Sequence, residues 1–179
     1  MLRFLALVLA VLIVVVIAVV APRVWRRRVA RLKALAPGEF VFFFDSNRWF
    51  QNGVVELRTR GLVDEKLKTD SEDPTRGPHW ASASTQRLTF RRGYTTAPYF
   101  SLAWSQISTV DFAIESPMGA YSRSRDSRPG VRVEVAASGA PITLLLTPPT
   151  TGGSIARPTA DAKFIVDELN RLRGVTPSP

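Results

Sequence analysis

The 179 residues include one histidine, His79, and no cysteine. Without cysteine there is no disulfide, thiolate nucleophile, thiolate metal site or Fe–S cluster, and a single histidine cannot make a two-histidine metal site. His79 lies in Gly77-Pro78-His79-Trp80, a context that reads as a surface loop rather than the seat of a general base. The acidic run Asp70-Ser71-Glu72-Asp73 lacks the ligand spacing and glycine of a calcium loop and reads as solvated carboxylates. Gly152-Gly153-Ser154 follows a strand-like segment, but no P-loop lysine or dinucleotide fingerprint accompanies it. No catalytic, cofactor-binding or metal-binding residue is assigned. The expectation is a protein that is not an enzyme and carries no cofactor.

The remaining chemistry is cationic. The formal charge is +9, from 24 basic and 15 acidic residues, with Arg outnumbering Lys 20 to 4. Arg3, Arg23, Arg26, Arg27, Arg28, Arg31 and Lys33 fall in the first 36 residues, which contain no acid, so the rest of the chain is nearly balanced at 17 against 15. A basic excess confined to one end points to anionic lipid headgroups, not to a nucleic-acid-binding face. Arginines beside aromatics, as in Arg48-Trp49-Phe50 and Phe90-Arg91-Arg92, could stack on single-stranded nucleic acid, but the balanced charge of this region argues against it. Membrane-surface contacts are assigned to Arg23, Trp25, Arg26, Arg27, Arg28, Arg31 and Lys33. Arg91 and Arg92, with Arg123, Arg125 and Arg128, are candidate headgroup or partner contacts, the alternative being solvated basic loops.

The element that must position these cations is apolar. Residues 4–21 carry no charged or polar side chain, and 18 helical residues span about 27 Å, enough for a slightly thin bilayer core. A secretory signal peptide is the competing reading. Its apolar region runs only about 7–15 residues, however, and Pro22 after Ala21 is a poor residue to follow a cut. The retained-helix reading places residues 1–3 outside and, because the cations that follow the helix outnumber those before it, the long C-terminal part in the cytoplasm. The alternative delivers the domain outside the cell. Residues 22–38 form a basic juxtamembrane segment in which Val24, Trp25, Val29, Leu32 and Leu35 alternate with cations at roughly helical spacing. It reads as an interfacial helix with its apolar side in the headgroups, or as a plain stop-transfer flank. Pro37-Gly38 closes it.

Residues 39–174 read as a β-rich domain. Residues 40–44 suit a buried strand, and Asn52-Gly53 between two apolar runs predicts a tight hairpin turn. Residues 61–83 read as a long loop containing Trp80. Strands follow over residues 86–91, 99–103, 107–114, 131–136 and 142–147, with a turn at Arg92-Gly93 and a second long loop over 115–130. Trp49 and Trp104 fit in or at the rim of the core. Ala162, Ile165, Val166, Leu169 and Leu172 recur at helical spacing and predict an amphipathic helix over 159–173, capped by Thr159 and favoured by Asp161 at its positive end. Its stripe would cover the open end of a bent sheet. Residues 175–179 read as a disordered tail.

Six or seven strands followed by one helix resemble the bacterial pleckstrin-homology-like (PH-like) superfold. The residues that carry the resemblance are Leu88 to Arg92, Tyr99-Phe100-Ser101-Leu102-Ala103-Trp104-Ser105-Gln106-Ile107-Ser108-Thr109-Val110, the strand over 142–147, and Asp167-Glu168-Leu169-Asn170-Arg171-Leu172. It covers about residues 86–173 and is one of pattern. It implies a small bent sheet or partly open β-barrel capped by the C-terminal helix, behind an N-terminal transmembrane helix. The functional expectation is a single-pass signal-anchor protein of a bacterial plasma membrane, its cytoplasmic domain binding a protein partner or anionic lipid. The alternative is an envelope structural or assembly protein with the domain facing outside.

Overall fold

Seven strands, some alternating apolar and polar residues and others nearly continuous apolar runs, form among the described residues of the computed structural model, which are 23, 27, 29–68, 79–115, 128–148 and 158–174. One antiparallel sheet runs β1 (Phe40–Phe44), β2 (His79–Ala83), β3 (Arg87–Arg92), β4 (Phe100–Ala103) in that order. The other is β5 (Ile107–Glu115), β6 (Arg128–Val135), β7 (Ile142–Leu146), again antiparallel and in chain order. The sheets bury facing sides: Phe42, Phe44, Ala81, Leu88, Phe90, Phe100 and Leu102 meet Ile107, Val110, Val131, Val133, Val135, Ile142, Leu144 and Leu146 in one core. The C-terminal helix α3 (Pro158–Arg173) adds Ala162, Ile165, Val166 and Leu169 and packs on β5 and β6. A mainly β domain closed by a C-terminal helix is thus present. Thr159 falls inside α3 rather than at its cap position, while Asp161 occupies the first turn.

Among the described residues the two sheets form no closed barrel, where a small bent sheet or a partly open barrel was expected. A single bridge among the described residues joins them, with the Asp45 amide donating to the Thr147 carbonyl at 2.7 Å. The space beside β7 is taken by helix α2 (Arg48–Thr59). This helix also corrects the hairpin turn expected at Asn52-Gly53. Phe50, Gly53, Val54 and Leu57 recur at i, i+3, i+4 and i+7 and are the buried residues of the helix. Asn47 starts it, accepting from the Phe50 amide at 2.8 Å, while its side-chain amide donates to the Leu145 carbonyl at 3.0 Å and to Thr147 Oγ1 at 2.6 Å. Gly53 belongs here for close approach: a Cβ would stand 2.5 Å from the Thr143 carbonyl oxygen and 2.6 Å from Leu144 Cδ2. Burial of this four-residue face therefore outweighs the local turn preference of Asn-Gly.

His79 and Trp80, expected in a loop, open the fully buried strand β2. Pairing between β1 and β3 gives this short strand its place, and its Ala and Ser residues carry little periodic signal. Trp49 and Trp104 are half-buried, and Trp104 packs at the edge of the core. Among the described residues no helix is long and apolar enough to cross a membrane. Residues 4–21, the expected span, lie outside them, as do Trp25, Arg26, Arg28, Arg123, Arg125 and residues 175–179.

Candidate membrane-facing surface

Residues 23, 27 and 29–35 are helical (α1), and the chain reverses from this helix into β1 through Pro37-Gly38, with Gly38 at φ 77° and the Glu39 amide donating to the Ala36 carbonyl at 3.2 Å. The reversal lays α1 on the side of the four-stranded sheet facing away from the main core. There Leu32 and Ala36 are buried with Phe43 and Trp80, flanked by Val29, Leu35, Val41 and Tyr94. Residues 29–36 thus do not offer their apolar side to headgroups as an interfacial helix would. The apolar stripe that would lie among headgroups covers the sheet instead, because Phe43 and Trp80 offer it a dry surface. Burying Leu32 contributes on the order of 2 kcal/mol. Trp80 keeps its polar edge satisfied, donating from Nε1 to the Gly93 carbonyl at 2.7 Å.

The opposite side of α1 is cationic. Arg23, Arg27 and Arg31 stand at i, i+4 and i+8 and are all exposed, as is Lys33. Like charges at i, i+4 disfavour a helix by about 0.2–0.5 kcal/mol per pair, and no acid precedes Glu39 to relieve them. Arg31 closes the row with its guanidinium carbon 4.9 Å from the centre of the Tyr94 ring. Such a contact contributes about 0.5–1 kcal/mol. Tyr94 was invisible as a site residue in the sequence, since only the fold brings it to α1; the i, i+4, i+8 arginine spacing was legible there.

Arg91 and Arg92, adjacent in sequence, point to opposite faces of β3 and do not act together. Arg91 is half-buried on the α1 side, 4.8 Å from the Trp80 ring centre, hydrogen-bonded to Ser82 Oγ and 3.9 Å from Glu39 Oε2. Burial lowers its pKa from the ordinary guanidinium value and Glu39 opposes the shift. Arg92 is buried on the core side, 5.0 Å from the Tyr99 ring centre, and donates to the Lys68 carbonyl at 2.9 Å, where Tyr99 Oη donates at 2.6 Å. His79, its cross-strand partner, packs among Phe44, Phe50 and Tyr99. Both arginines thus hold the fold together, Arg92 by pinning the end of the segment that follows α2. Arg128 is exposed at the start of β6, 3.9 Å from Asp45.

Two sheet edges are already covered. The carbonyls of Thr143, Leu145 and Thr147, alternate residues that face the same way, meet Gly53, the Asn47 side chain and the Asp45 amide. On β5 the Ser108 and Val110 carbonyls accept from Arg173 at 2.8 Å and Asn170 at 3.1 Å. Phe164 of α3 is 58% exposed, leaning edge-on to Phe40 at 5.9 Å. Among the described residues no group of three or more His, Cys, Asp or Glu could hold a metal ion. No protein-family profile, curated protein or solved structure matches the chain.

Proposed function

We propose that this chain is a membrane-tethered interaction module without enzymatic activity, held by residues 4–21 as a single-pass anchor at the inner face of a bacterial plasma membrane. The carrying observation is the 18-residue apolar run followed by a cation-rich, acid-free stretch. The arginine row on α1 supports it, because lipid phosphates would relieve the repulsion along that row. The PH-like reading draws support from the four-plus-three antiparallel strands in chain order and the single helix closing the core. The α2 insertion between β1 and β2 departs from that pattern.

The module binds a protein partner or anionic lipid. Partner docking beside α3, where Phe164 is exposed, is the better-supported mode, since the β7 edge and part of the β5 edge are occupied. Tethering raises the local concentration at a membrane target, so a weak contact suffices. A topology assay tests the reading: reporters active only inside or only outside the cell, each fused after Pro179. Cytoplasmic activity is the expected result; outside activity would overturn it in favour of an envelope role.

A further inference from the structure

The direction in which α1 leaves the domain determines which end of the domain meets the bilayer. Ala36 sits beside the start of β1, and Arg31 reaches Tyr94, just past the end of β3. That end of the sheet is where Phe44, His79 and Arg92 pair across β1, β2 and β3. The helix therefore runs antiparallel to β1, and its N-terminus departs over the turn at residues 93–98. The other end of the sheet carries the β2–β3 turn at residues 84–86, a full strand length away.

We infer that the end of the domain carrying residues 93–98 faces an anionic lipid surface, with Arg23, Arg27, Arg31 and Tyr94 as its contact. This rests on the anchor reading above. Eight residues at the helical rise place Arg31 about 12 Å along the axis from Arg23. A headgroup layer is roughly 5–8 Å deep, and screening at physiological salt acts over about 8 Å, so Arg31 and its ring partner stand within electrostatic reach of the lipid phosphates. The turn itself is Gly93-Tyr94-Thr95-Thr96-Ala97-Pro98, without an acid, and residues 95–98 are exposed. Because Leu32 and Ala36 are committed to the sheet, the contact is ionic and superficial rather than an insertion. The docked helix holds the domain in one orientation, which a flexible linker would not do.

The chain has no cysteine, so single probes can be placed in the full protein: Thr95→Cys in the near turn and Thr85→Cys in the far one. Each is labelled with a fluorophore and reconstituted into phosphatidylglycerol–phosphatidylcholine vesicles containing lipid with a nitroxide on the headgroup. Both leaflets carry the quencher, so the result does not depend on the side to which the domain is delivered. Quenching at residue 95 is expected to exceed that at residue 85 several-fold, and to fall when phosphatidylglycerol is replaced by phosphatidylcholine. Equal or reversed quenching overturns the orientation, and quenching at 95 that ignores lipid charge overturns the anionic contact. A carbonate wash separates the causes: protein that washes off refutes the anchor and this inference together, whereas retained protein with the wrong pattern refutes only the inference.

Discussion

At the scale of single residues, Asn47 links three parts of the chain. Its carbonyl oxygen caps α2 and its amide nitrogen reaches two acceptors at the end of β7. Asn47→Ala is expected to lower stability by about 2–3 kcal/mol, combining a lost cap with an uncompensated Leu145 carbonyl, whereas Asn47→Ser keeps a capping hydroxyl and should lose about half as much. Chemical denaturation midpoints of the two variants check the order. Gly53 makes a sharper test, because helix propensity and packing oppose each other there. Alanine favours the helix by about 1 kcal/mol, yet its Cβ would meet the Thr143 backbone at 2.5 Å, so Gly53→Ala should destabilise by about 1–3 kcal/mol. A rise in the melting temperature of that variant would show that α2 stands off from β7.

At the scale of elements, α1 is part of the domain as well as of the proposed route to the membrane. Leu32→Ala is expected to cost about 2–5 kcal/mol, as for a fully buried leucine, and to alter the emission of Trp80, which it covers. Lys33→Ala, on the exposed side of the same helix, should leave both within error. Equal effects of the two substitutions would mean that α1 is not docked. The segment after α2 is pinned by Arg92 and Tyr99 at one carbonyl, so Tyr99→Phe, which removes only the hydroxyl, should accelerate proteolysis there with a stability loss of about 0.5–1.5 kcal/mol. Limited proteolysis with mapping of the first cut reads this directly.

On the scale of the whole molecule, charge and hydropathy are segregated along the chain, and that segregation underlies the proposed tether. Deleting residues 1–22 should release the protein from vesicles containing phosphatidylglycerol at high salt while leaving residual binding at low salt, because the remaining cations on α1 interact only ionically. Vesicle flotation at the two salt concentrations measures it. Salt-independent flotation of the truncated protein would mean that apolar surface elsewhere holds it to lipid.

What the sequence determined by itself follows from local periodicity and composition. Alternation placed β3, apolar segments bounded by Pro, Gly or Ser placed β4 to β7, and the 3.6-residue stripe placed α3, because those patterns are local and make no reference to the partner. The acid-free basic stretch with its 4-residue arginine spacing was equally local. The tertiary structure decided whatever depended on a neighbour distant in sequence. Asn52-Gly53 became helix because β7 buries the face to which it belongs, and His79-Trp80 became strand because β1 and β3 flank it. The stripe on α1 turned from lipid to protein because Phe43 and Trp80 lay within its reach, and adjacent Arg91 and Arg92 were parted by the pleat into two unrelated structural roles. An apolar stripe specifies that it will be covered; only the folded chain specifies by what.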